Sequence, residues 1–595
     1  MSVLQTPRIN FVGTISWSPG LANNQSGLFD SSTATVILPD GISSEQFPDY
    51  LVARLAREGI WNLYGSHDAK FEHYEKGPRE DDNTRVVGGI IGSKRVEADP
   101  LIGAKARLNG KLVDLDPAAV WNSQIFFDRF SIGDSSLGFT ATRHKTMHSR
   151  WINFQRNLDR LDIAGSAGVV WQTVFPKSSI RYRGAEQSPL LSSLKNAPDA
   201  NGLMLRFATY RTLYFQNGIY NNEEYKPRDI EQLQQLHSEG KFFENPAYSR
   251  VVGSVGLWVG DEPETWPGGR FLVPANSIES LSVDGSPFVL GPAVAEVFNS
   301  SIALDFIHTI PELNRQLEKT NLGKLVVGVS EGGEFSELGV VDPIQYEREA
   351  YERDSGIITV PIQTTQATRN KLANGRIEVW CQSERVNKLV LAEQPKVVVA
   401  EQRDAYTTID DSFQQEVRVF DRGQPASKST SIVVGKYRGL RRTEDAQSVV
   451  SLTEDGEAVL PLDTTKIGPF DFGMAAFDPE NEVPQLPPRI DITSGQFLSV
   501  RVLASDDELE ANTSDDELTW KLIYGEILQN WDLMNPIMNL RGLPLSDEAE
   551  MTALAAVIAE VISKEMHESF RYMPITRDLS RGKRLLLERW AKIHN

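Results

Sequence analysis

The densest group of reactive side chains is in residues 142–151, Thr-Arg143-His144-Lys145-Thr-Met-His148-Ser-Arg150-Trp151. His144 and His148 stand four apart, a spacing that would place both imidazoles on one helix face, as a metal or haem would require. Arg143, Lys145 and Arg150 make a local basic cluster suited to a carboxylate or a propionate. The competing reading is a solvated polar loop with Trp151 packed into a core. His-Glu-x-x-His does not occur, so zinc hydrolysis has no support. His67 and His73, with Asp68 and Glu72, carry metal-capable atoms at no standard spacing and read as a surface loop. Gly88-Gly89-Ile-Ile-Gly92 and Gly253-Ser-Val-Gly256 miss the dinucleotide pattern and read as turns or bulges in a sheet. The single cysteine, Cys381, excludes an intramolecular disulfide and any multi-cysteine metal site, and reads as inert core.

Whatever positions these side chains is large. At 595 residues the chain exceeds one hydrophobic core and predicts two to four domains. A formal net charge of −20 argues against a phosphate backbone as partner, so no nucleic acid is expected. Residues 1–11 do not form a signal peptide, and no apolar run approaches the roughly 18–20 residues that cross a bilayer. The expectation is a soluble, cytoplasmic protein without membrane contact.

Most of the chain alternates apolar and polar residues between glycine and proline turns, the pattern of strands. Residues 7–17 begin it as a half-buried strand, 203–215 form a buried strand, and 418 onward reads as a sandwich-type module ending near Val502. Short helices are expected over 47–58 and 229–239. Ser514-Asp-Asp-Glu517 is a capping box opening a helix to about Met534, where Pro536 ends it. A second helix is expected from Ser546 to about Phe570 and a third over 578–590. The fold class is therefore mainly β, multi-domain, with sandwich- or barrel-like modules and a C-terminal three-helix segment. The divisions expected are 1–290 with the candidate site, 291–400, 401–505 and the helical 510–595.

Several stretches in order resemble a bacterial family, the chromopyrrolate synthases and the 2-imino-3-(indol-3-yl)propanoate dimerase of the violacein pathway. They are Pro7-Arg-Ile-Asn-Phe-Val-Gly13, His148-Ser-Arg150-Trp151, and Gly256-Leu-Trp258 with Pro267-Gly268-Gly269-Arg270. Tyr346…Tyr351 with Gly356-Ile-Ile-Thr-Val-Pro361, and Tyr572-Met-Pro574-Ile-Thr576-Arg577-Asp-Leu-Ser580, complete the set. The resemblance implies haem-dependent oxidative coupling of aromatic amino-acid-derived imines in secondary metabolism, with haem b as cofactor and a small aromatic imino or keto acid as substrate. It makes His148 the axial-ligand candidate, with His144 a weaker one and His308 weaker still. Arg150, with Arg143 nearby, would hold a propionate or carboxylate, and Trp151 would line the pocket. Family members continue into a ferritin-like helical domain. The resemblance is therefore to their amino-terminal region, and a ferritin-like partner acting in trans through the C-terminal helices is expected, with room for a homo-oligomer. The alternative is a non-catalytic binding or assembly protein that keeps the fold.

Overall fold

The computed structural model describes residues 2–595 except 19, 21–26, 52–64, 74–82, 118, 120, 154–167, 214–234, 236–238, 240–246, 276–281, 284–285, 288, 314–316, 364 and 384–385. The chain is strand-rich with helices gathered at its C-terminal end, as the alternation and the caps predict. Among the described residues no helix is long and apolar enough to cross a membrane. The helix expected over 229–239 lies outside the described residues apart from Gln235 and Glu239. Of that over 47–58, residues 47–51 are helical and the rest also lies outside.

The first sheet has 13 strands among the described residues and closes almost into a barrel. Arg8–Trp17 is its axis, pairing along its whole length with Ala247–Val259 and, at its two ends, with Arg85–Ile91 and Asp68–Phe71. Alternation sorts its side chains: Ile9, Phe11 and Ile15 enter the barrel with Phe127, Phe130, Phe175 and Phe207. Val12 faces outward with Val252, Met204 and Ala208. Each large aromatic buried inside contributes roughly 1.5–3 kcal/mol. The chain itself crosses the remaining gap. Met147–His148 pairs with Ser123–Gly133, and Arg150–Asn153 pairs with Gly168–Pro176, so residues 147–153 step from one sheet edge to the other.

A second sheet of eight strands, beginning at Arg270–Pro274, packs on the barrel's outer face. Polar groups are matched within that layer: Arg206 pairs with Asp305, both fully buried, and Arg250 lies 3.2 Å from Glu352. Beyond it, a five-stranded and a four-stranded sheet enclose a core of Val417, Ile432, Phe470, Leu498 and Val500, a sandwich.

The helical end departs from its sequence reading in its bounds. The Ser514/Glu517 capping box is present, but the helix it precedes runs from Trp520 to Met534 through a π-type turn at Tyr524–Leu528. The second helix breaks at Leu554 and ends at Val561 rather than near Phe570. Downstream carbonyls take another donor: the Arg577 guanidinium donates to the carbonyls of His567 (3.1 Å), Ile575 (2.5 Å) and Ser569 (2.9 Å). The last helix is Arg581–His594, starting where the Ser580 hydroxyl accepts from Lys583 N.

His67 is no surface residue. It is fully buried, its Nδ1 lies 3.0 Å from the Leu112 carbonyl, and its Nε2 has no partner among the described residues. Its close neighbour is Gly20, where a Cβ would meet the ring at 2.3 Å. Burial lowers its pKa from 6.5 to about 4. Between those values the unfolded chain binds a proton that the folded chain refuses, so stability falls as pH drops through 6.5 towards 4. The loss amounts to about 3 kcal/mol at the acid end. Urea midpoints at pH 7 and pH 4.5 should show His67→Gln with a flatter pH dependence than the parent; equal slopes would contradict this.

Candidate functional site

The chain between Thr142 and Trp151 is not a helix. Gly138–Thr142 is a strand, residues 143–146 form a loop, and Met147–His148 is a strand again. The helical spacing of His144 and His148 is therefore never realised, and the two rings part company. Short pairing with Ser123–Gly133, which buries Met147 beside Ile125, overrides the local pattern.

A cleft of about 470 Å³ opens where the barrel meets the sandwich. Arg143, His144, Lys145, Thr146 and His148 border it from the barrel, and Glu401, Gln415, Val417 and Arg418 from the sandwich. His144 is 40% exposed and lies 3.4 Å from Glu264, whose other oxygen is 3.5 Å from Lys145. Arg143 stands 3.9 Å from Glu568. The basic cluster thus meets an acidic counterpart contributed by distant segments.

His148 is deeper, with 5% of its side chain exposed. Its Nδ1 lies 2.9 Å from Asp404 Oδ2, in a carboxylate that is fully buried. With that carboxylate ionised, Nδ1 carries the proton and donates, and Nε2 keeps its lone pair. Burial lowers the His148 pKa, opposed by Asp404 and assisted by Arg150 and Arg403, so the ring is neutral near pH 7. Burial also pushes Asp404 upward, but Arg403 and His148 hold it below the usual carboxylate range. Arg403 donates to Asp404 through Nε (3.2 Å), to the Trp121 carbonyl (3.0 Å), to Ser149 Oγ (2.9 Å) and to the Ser149 carbonyl.

Arg150 and Trp151 do not border the cleft. Arg150 donates to the Ala400 carbonyl (2.8 Å) and Thr265 Oγ1 (3.2 Å), with its guanidinium 5.2 Å from the Trp266 ring centre. Burial brings it down to about 9. Trp151 packs on Trp266 and Phe271, at 5.6 and 5.5 Å. Its φ of 54° is a left-handed value that suspends alternation, so Arg150 and Trp151 both lie outside the barrel and Ile152 returns inside. His308 is buried beside Gly291, remote from the cleft lining. Among the described residues no three His, Cys, Asp or Glu side chains gather as a metal site.

Sequence reading missed Asp404 and Arg403, 256 and 254 residues from their partners. The available signal was an Arg-Asp pair between the apolar strand Lys396–Val399 and the strand Asp404–Thr408, an odd place for charge unless both groups are matched. A neutral imidazole backed by a carboxylate is the arrangement that metal-ligating histidines use.

A nearly closed barrel and a sandwich thus meet at an imidazole–carboxylate cleft, with the second sheet on the barrel's outer face. Across its whole length the chain is similar to a dichlorochromopyrrolate synthase of Lentzea aerocolonigenes, 22% identical over 672 residues. It is likewise similar to a 2-imino-3-(indol-3-yl)propanoate dimerase of Chromobacterium violaceum, 23% identical over 649 residues. Both are homologues of it, and the chain spans only 57% and 58% of their lengths. No family model matches.

Proposed function

We propose that this chain forms the β-rich part of an enzyme that oxidatively couples two indole-derived imino acids, with haem held at the cleft between barrel and sandwich. The observation that carries this reading is the match, along the whole of this chain, to two relatives whose names describe such products and such a dimerisation. His148 would ligate the iron through Nε2, and Asp404 would fix its tautomer and ring plane through Nδ1–H. Bound haem would supply one-electron oxidation of the electron-rich substrate. Arg143 and Lys145 at the rim would take a carboxylate or propionate, exchanging their Glu568 and Glu264 partners for it. Arg150 and Trp151 act as positioning residues beneath the cleft. A ferritin-like segment, in the same polypeptide or a separate one, would complete the enzyme over the C-terminal helices.

One observation favours a second reading, a binding or assembly protein that keeps the fold. The same His148–Asp404–Arg403–Ser149 network also fastens the barrel to the sandwich, a sufficient structural reason for it. Titration of the purified protein with haemin separates the two. A saturable Soret band at one equivalent, lost in His148→Ala and weakened about 10–100-fold in affinity by Asp404→Asn, is expected of the enzyme. A protein that takes up no haemin overturns the haem reading and leaves the second.

A further inference from the structure

A larger cleft, about 1220 Å³, is elsewhere, between the barrel and the eight-stranded sheet. Two of the stretches that carry the family resemblance converge on it: Arg8 from the first, and Glu347, Ala350, Ile357 and Ile358 from the pair around Tyr351 and Gly356. None of them enters the haem reading.

Arg8 is the unusual member. It begins the axial strand, pairing with Gly256 on one side and Ile90 on the other, and alternation turns it out of the barrel into the cleft. Its exposure is 2%, yet among the described residues its guanidinium makes one hydrogen bond, a long one, Nη1 to the Leu4 carbonyl at 3.3 Å. Its Nε is buried with no acceptor, and among the described residues no carboxylate forms an ion pair with it. The neighbouring acids are engaged: Asp305 by Arg206, and Asp354 by Arg95 (2.5 Å) and Arg353 (3.1 Å). Leaving a guanidinium dry and unmatched costs several kcal/mol, so such a group marks a site where an anion completes it. Apolar side chains, among them Leu4, Ile90, Phe298, Ile357 and, at the rim, Ile344 (67% exposed), share the lining with the charged groups Arg95, Arg353, Glu347, Glu349 and Asp354.

We infer that this cleft is a binding site for an organic acid with an apolar body, its carboxylate received by Arg8 and its hydrocarbon part lying against Phe298 and Ile344. A planar carboxylate matches the guanidinium fork, and the volume admits an aromatic acid of more than one ring. The site does not depend on haem at the other cleft.

Calorimetric titration with indole-3-propionate, and with its neutral amide as control, tests this. The acid should bind one to one, with the amide at least about 30-fold weaker. Arg8→Met should raise the Kd of the acid by about 30-fold or more, as expected when a buried charge pair loses one member. Unliganded Arg8→Met should melt no lower than the parent, because it removes an unmatched charge; a purely structural arginine would show the opposite. Ile344→Glu, a change at an exposed position that leaves the fold intact, should weaken the acid about tenfold by repulsion. His148→Ala should bind the acid as the parent does, which keeps this result separate from the haem titration. Absence of binding at about 1 mM acid, equal affinities for acid and amide, unchanged affinity in Arg8→Met, or loss in His148→Ala instead would each overturn the assignment.

Discussion

Asp404→Ala is expected to lower the unfolding free energy by about 3–5 kcal/mol, the range for removing one member of a buried ion pair. The carboxylate is fully buried and accepts from both His148 and Arg403. Without it the Arg403 guanidinium, 3% exposed, keeps its charge in a dry junction with only carbonyls and a hydroxyl as partners. Because these groups join barrel to sandwich, the urea midpoint should fall. Asp404→Leu combined with Arg403→Met should recover part of the loss, since no unmatched charge then remains. A single substitution costing under about 1 kcal/mol would mean that water reaches Arg403 and that the junction is not held as described.

Arg577→Lys should cost about 3 kcal/mol although it keeps the charge, because three hydrogen bonds from a charged donor are at stake. One planar guanidinium serves the carbonyls of His567, Ser569 and Ile575 while lying 3.3 Å from the Phe126 ring centre. An ammonium on a single stem cannot span those three acceptors and stack at once. Amide hydrogen exchange should quicken across residues 567–578, and the Asp578 contact to Trp531 Nε1, now 2.9 Å, should loosen with it. Retained protection in that segment would show that the loop orders itself.

Elements governed by local periodicity were readable in the residues. The alternation of Arg8–Trp17 sorted Ile9, Phe11 and Ile15 from Arg8, Asn10 and Val12 before any partner strand was known, because pleating forces successive side chains to opposite faces. The Ser514/Glu517 box was visible because both halves of a cap lie within one turn. The second helix stops at Val561, although the residue pattern runs on, because the later carbonyls of His567 and Ser569 are taken by Arg577, a donor from a later segment.

The candidate site divides the same way. The sequence by itself singled out Arg143, His144 and His148, which all border the cleft, pointed to the two relatives that the chain matches, and specified a mainly β chain with a helical end. Only the tertiary structure decided that His148 belongs to a closing strand, that Asp404 stands behind it, and that Arg150 and Trp151 turn away. It also brought Arg8 to a cleft whose other wall lies between Phe298 and Thr359. The reason is physical: strand pairing and charge matching are satisfied through space, and a residue's type and spacing do not reveal which distant backbone or carboxylate will complete it.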